Sequence, residues 1–311
     1  MKRVVVVGIV GGIAVLALAA TGVWWFTSRP PTAQAAAETY LRALETGDFA
    51  VIAGLRGGEL GADAESLLRD AFAGAASYVS DPEILEVRID DDSLAAVHAE
   101  ALLGDDRRTL NFTMRDGGDG WELTGDHLGV LQAETMLASA PAGDSVWVGG
   151  ALAPAAAELR LLPAVYEVQA APRGILAGTA TAAVGTDEPI AVTMDAALSP
   201  GATALAQAQV DAYAEACAAA TASVPDNCGL RVPWAADLAA LDSIAFRIDK
   251  RPAVSLHDNA AGFDATGGVI VATASGTTRG GESASFTYRA DEWALRGSIR
   301  FSGDDMILAV R

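Results

Sequence analysis

Residues Val4–Phe26, VVVVGIVGGIAVLALAATGVWWF, form an unbroken run of 23 residues without a charge. A helix crosses the ~30 Å hydrocarbon layer with about 20 apolar residues, because each residue rises about 1.5 Å. The run therefore predicts a membrane-spanning helix. Lys2 and Arg3 precede it and Arg29-Pro30-Pro31 follow it. The basic residues in front keep that end in the cytoplasm, so the bulk of the chain is expected outside it. Trp24, Trp25 and Phe26 fall at the outer end, where aromatic rings favour the headgroup layer, and residues 4–26 are expected to contact lipid. Ala33-Gln34-Ala35 offers the small-residue pattern of a signal peptidase site, which makes a cleaved signal the competing reading. The apolar run exceeds the ~7–15 residues of a signal core, which favours a retained anchor.

Charge narrows the partners. Three of the 21 basic residues (Lys2, Arg3, Arg29) lie within 1–29, and all 40 acidic residues lie beyond. So acidic a surface argues against nucleic acid, which needs a basic footprint. The only cysteines, Cys217 and Cys228, stand eleven apart. On an exported chain they predict one disulfide, with two free thiols as the alternative.

From residue 30 the pattern is helical, then alternating. Ala37, Tyr40, Leu41 and Leu44 recur at helical spacing, and Gly47 and Asp48 mark a C-cap and the next N-cap. A second short helix carries Phe49, Ile52 and Leu55, and a third is expected over 62–77 with Leu68 and Phe72 on one face. Leu85, Val87 and Ile89 then alternate with charged residues, and strands are expected at 94–103, 107–116 and 120–127. Helices followed by a meander predict an α+β domain over 30–135. The run Tyr40-Leu41-x-x-Leu44-x-x-Gly47-Asp48-Phe49, closing on Gly120-Trp121-x-Leu123, resembles the NTF2-like (cystatin-like) superfamily. That resemblance implies a cone of helices on a curved sheet, with a pocket in some members and no particular activity. Steroid-isomerase-like members place an acid and a tyrosine in the pocket. Here Tyr40 and Asp48 read as packing and capping.

Residues 140–198 hold short strands separated by Pro and Gly and predict a small all-β module. The pairing of Val146-Trp147-Val148-Gly149-Gly150 with Leu161-Leu162-Pro163-x-x-Tyr166-x-Val168 resembles PEGA-like modules of envelope proteins, with Ala164 where those carry glycine. The resemblance implies a spacer or adhesion unit. Residues 199–311 open on an alanine-rich helix, Thr203 to Ala222, followed by strands, and predict a second α+β domain carrying the disulfide. Val87-Arg88-Ile89-Asp90 recurs as Phe246-Arg247-Ile248-Asp249, and Phe112-Thr113-Met114-Arg115 as Phe286-Thr287-Tyr288-Arg289, so the last domain is a candidate duplicate of the first.

No catalytic, cofactor or metal set is expected. His98, His127 and His257 have no second ligand at metal spacing, and no hydrolase motif occurs. Asp90-Asp91-Asp92, Asp105-Asp106 and Asp304-Asp305 lack calcium-loop spacing. The reading is a non-catalytic, membrane-anchored extracytoplasmic envelope protein that binds or scaffolds, its partner an envelope protein or a wall component. The alternative is a small-ligand or hydrolytic pocket in the first domain. A cone filled by Phe72, Phe112 and Trp121 would favour the scaffold.

Overall fold

A computed structural model describes residues 32–58, 60–91 and 93–311. Helix α1 (Ala33–Thr46) starts where the Thr32 hydroxyl accepts the Ala35 N–H at 3.2 Å. It buries Ala36, Ala37, Tyr40, Leu41 and Leu44, one stripe at helical spacing. Gly47 ends it with φ 72°, a left-handed conformation that glycine adopts without steric cost. The Asp48 carboxylate accepts the Val51 N–H at 3.1 Å and starts α2 (Phe49–Leu55). Helix α3 (Ala62–Ala73) buries Leu68, Ala71 and Phe72.

Four sheets follow. The first is antiparallel, β2 (Ser80–Asp91), β3 (Leu94–Leu103), β4 (Asp106–Asp116) and β5 (Trp121–Leu123) in that order. The second joins β1 (Ser77–Tyr78) to β11 (Ala164–Ala170), then β8 (Ser145–Val148) and β9 (Ala151–Pro154), with β13 (Thr179–Val184) also on β11. The third orders β10 (Leu159–Leu161), β6 (Gly129–Leu137), β14 (Ile190–Leu198) and β12 (Leu176–Ala177), with β7 (Ala140–Pro141) on β6. Within it β6 and β14 run parallel, Ile190 opposite Leu131 through Ala196 opposite Leu137. The last sheet orders β15 (Leu238–Lys250), β17 (Gly262–Thr278), β18 (Ser283–Ser302) and β19 (Asp305–Val310), with β16 (Ala253–Leu256) on β17.

The main apolar core is continuous from Ala36 to Met194. Residues 30–135 and 140–198, expected as separate modules, thus share sheets and a core. At the end of α3 the contact is backbone to backbone. A Cβ on Gly74 would collide with Gly150, and one on Gly149 with the Ala71 carbonyl. Helix α4 (Pro200–Ala218) covers the inner face of the last sheet, with Val210 and Ala214 against Phe263, Trp293 and Leu295. A further cluster joins Leu137, Ala170 and Leu176 to Ala202, Ala206, Phe301 and Met306, fixing the C-terminal unit to the middle one.

Two expectations are corrected. The fold class is mainly β, not α+β. Nineteen strands stand against four α-helices among the described residues, and the sheets are mostly antiparallel, which is not an NTF2-like arrangement with a membrane helix. The reason is long-range pairing. β1, just after the helices, and β6, just after the meander, build sheets with residues 145–198, and the C-terminal unit has one α-helix beside five strands. The membrane placement is corrected as well. Among the described residues no helix is long and apolar enough to cross a membrane. The longest, α4 at 19 residues, carries Gln207, Gln209, Asp211 and Glu215. The expected span at 4–26, with Trp24, Trp25 and Phe26, lies outside the described residues. Among the described residues no helix supports the single-pass, extracytoplasmic placement.

Candidate functional site

The outer face of the first sheet holds a cleft of about 380 Å³, lined by Glu86, Arg88, His98, Asn111, Thr113 and Asp126. Strand alternation puts these polar side chains on one face and Val97, Leu110, Phe112 and Met114 in the core. His98 and Asn111 are directly opposed across β3 and β4, with His98 Nδ1 and Asn111 Oδ1 at 2.6 Å. The amide oxygen accepts, so Nδ1 carries the proton. The Asn111 N–H donates to the Thr186 hydroxyl at 2.7 Å, which ties the loop before β14 to the rim.

Asp126 closes one end. Its carboxylate accepts the Thr113 and Thr124 hydroxyls at 2.6 Å each and the Thr113 N–H at 3.0 Å. Partial burial alone would raise its pKa. The hydrogen bonds outweigh burial and hold the carboxyl below its ordinary range. A carboxylate so fully engaged is a weak base.

Beneath the cleft the space is filled. The Tyr40 ring meets Phe112 edge-on at 4.9 Å, and its hydroxyl donates to the His127 carbonyl at 3.1 Å. Burial, with the charge of Asp126, pushes the Tyr40 phenol far above its ordinary value, so it stays protonated. His127 is 2% exposed. Its Nδ1 donates to the Thr124 carbonyl, and its Nε2 has no partner. Burial lowers its pKa and the Arg56 charge adds to this, against the opposing pull of Thr124 and Asp126. Arg56 pairs with Glu65 at 3.3 Å, while its Nε and Nη1 make no hydrogen bond.

Of the sequence-derived residues the cysteines come together and the histidines build no common site. His98, His127 and His257 do not converge; His257 Nε2 pairs with Asp264 at 3.0 Å. No group of three or more His, Cys, Asp or Glu that could hold a metal occurs among the described residues. Cys217 and Cys228 stand at disulfide distance, their Cα atoms 5.9 Å apart. The Cys228 carbonyl accepts the buried Trp293 indole N–H at 2.7 Å. Asp304, set aside as a calcium ligand for want of loop spacing, accepts both the Trp147 indole N–H at 2.9 Å and the Arg173 N–H at 2.7 Å. No local signal announces that contact, since its ends lie 157 residues apart. The cleft offers hydrogen-bond donors and acceptors on His98, Asn111, Thr113 and Asp126.

No family model matches the chain, no curated protein matches it and no solved structure matches it. The likenesses to NTF2-like and PEGA-like families rest on the sequence patterns alone.

Proposed function

We propose that this chain is a non-catalytic binding or scaffolding protein that meets a macromolecular partner with its outer sheet faces. The observation that carries this reading is the filled interior. Phe72 is 0% and Phe112 2% exposed, Tyr40 packs between Phe112 and His127, and Trp121 packs against the same core. A ligand-binding cone needs that volume empty. Strong burial of one core across residues 36–194 also supports a rigid body rather than a hinged catalyst. Acidity argues for partners other than nucleic acid.

A second reading keeps the polar cleft, with His98 and Asn111, as a small-ligand or hydrolytic site. Crosslinking of the full chain in its native cells, followed by mapping of the crosslinks, separates the two. Crosslinks from a macromolecule to exposed sheet residues support binding. Turnover of an ester or glycoside panel that disappears in His98→Ala overturns it.

A further inference from the structure

The inner face of the last sheet is covered in two pieces. Helix α4 covers one end. The segment after Cys228 covers the other, with Val232 and Trp234 against Ile244 and Phe286. Between them a cavity of about 190 Å³ opens over the cross-strand row Phe246, Ala272 and Tyr288, walled by Leu230, Val232 and Pro233.

Strand β18 borders this cavity, and its outer edge is unpaired there. It pairs with β17 from Ser283 to Ser298, but its pairing with β19 begins only at Gly297. Along 283–292 no described strand takes the second edge, so a row of backbone N–H and C=O groups is presented outward, whereas further on the Arg296 carbonyl accepts the Arg311 N–H. Arg231 also lines the cavity and is exposed. The ion pairs among the described residues leave Arg231 out, whereas Arg289 beside it is held by Asp249 at 2.6 Å and Asp291 at 2.7 Å.

Size decides the class of occupant. Small-molecule sites enclose roughly 300–1,000 Å³, so this cavity suits one amino-acid side chain better than a whole ligand. An unpaired strand edge beside a side-chain pocket is the arrangement for strand addition, in which the backbone supplies affinity and the pocket specificity. The unpaired Arg231 selects an acidic neighbour. Asp291 and Glu292 on the same edge disfavour a second copy of this net-acidic chain.

We propose that the open edge of β18 and this cavity bind an extended peptide segment of a partner protein, which adds a strand along 283–292, seats one bulky apolar side chain over Phe246 and Tyr288, and sets an Asp or Glu against Arg231. This rests on the binding reading above and gives it a place and a chemistry.

The test is a displayed library of random peptides panned on the full chain. The expected peptides share a bulky apolar residue next to Asp or Glu and slow hydrogen exchange at the amides of 283–292. Val232→Trp, which fills the cavity from an irregular segment, lowers their affinity about tenfold or more, and Arg231→Glu lowers it for acidic peptides. Should Val232→Trp fail to fold by thermal unfolding, Arg231→Glu and the exchange pattern decide. Selection of no peptide, or binding unchanged by Arg231→Glu, overturns the proposal. So does dimerisation of the chain that protects 283–292. Peptides that protect the β2–β4 cleft instead overturn this site and leave the binding reading standing. Turnover lost in His98→Ala sinks that reading without reference to β18.

Discussion

The Arg173 guanidinium carbon lies 3.7 Å from the centroid of the Trp147 ring, and both residues donate to one oxygen of Asp304. Arg173 also reaches the Gly149 carbonyl at 3.1 Å and Gln169 at 3.0 Å. The turn between β18 and β19 is thereby clamped to the second sheet. Trp147→Ala removes the ring on which the Arg173 cation stacks and one hydrogen bond. We expect a loss of about 1–2 kcal/mol, since an exposed cation–π contact contributes about 0.5–1 and a hydrogen bond about as much again. Denaturant unfolding reads the loss, and hydrogen exchange at 302–305 speeds up. Unchanged exchange there would remove the clamp from the account.

The same turn is held by Asp144, whose carboxylate accepts the Gly303 N–H and the Ser302 hydroxyl, each at 2.8 Å. The Gly303 N–H, then the Ser302 and Ser145 hydroxyls, hold its pKa below the ordinary range. A depressed carboxyl adds stability above its unfolded value, and that stability is lost as pH falls through the folded value. Acid should therefore loosen the 302–305 turn, and Asp144→Asn should weaken it at neutral pH while flattening its acid dependence. Exchange rates at Gly303 across acidic pH check this.

His127 runs on another window. It is buried neutral, and its folded pKa lies below the ordinary 6.5. The unfolded chain therefore takes up the proton first, and stability falls as pH drops below the ordinary 6.5 towards the lower folded value. His127→Gln should reduce the pH dependence between neutral and mildly acidic solution. An imidazole NMR titration of His127 at or above 6.5 would contradict the burial argument.

The Cys217–Cys228 pair closes a loop between residues eleven apart. Such a loop contributes about 3 kcal/mol in the chain-entropy model. Cys228→Ser should destabilise the chain by about that much, and loosen the 230–234 segment first. Intact mass with and without reductant tests the bond itself.

Local chemistry was legible and long-range pairing was not. Gly47 and Asp48 punctuate helices where the capping residues were expected, and Phe72 and Phe112 read as core from their spacing, whereas the Thr32 cap of α1 emerges only in the structure. Cys217 and Cys228 were readable as a pair because a composition with two cysteines leaves one partner each. The fold class was not readable. Parallel pairing of Val192 with Ala133 and the pairing of Tyr78 with Ala164 depend on segments about 60 and 85 residues away, and neither leaves a periodic trace. The strands expected after the alanine-rich helix include the long β17 and β18. Their alternation breaks at Gly268, where the register between β17 and β18 shifts. The cleft was half legible: His98 reads as a strand residue, but its partner Asn111 and the Asp126–Thr113–Thr124 cluster emerge only when β4 and the turn before β6 come together.

The filled interior carries the functional proposal, and Phe112 tests it most directly. If Phe112 is a packed core residue against Tyr40, Phe112→Ala opens a cavity and costs about 3–5 kcal/mol by denaturant unfolding. A cost below about 1 kcal/mol would instead mark Phe112 as the wall of an open pocket and contradict the account.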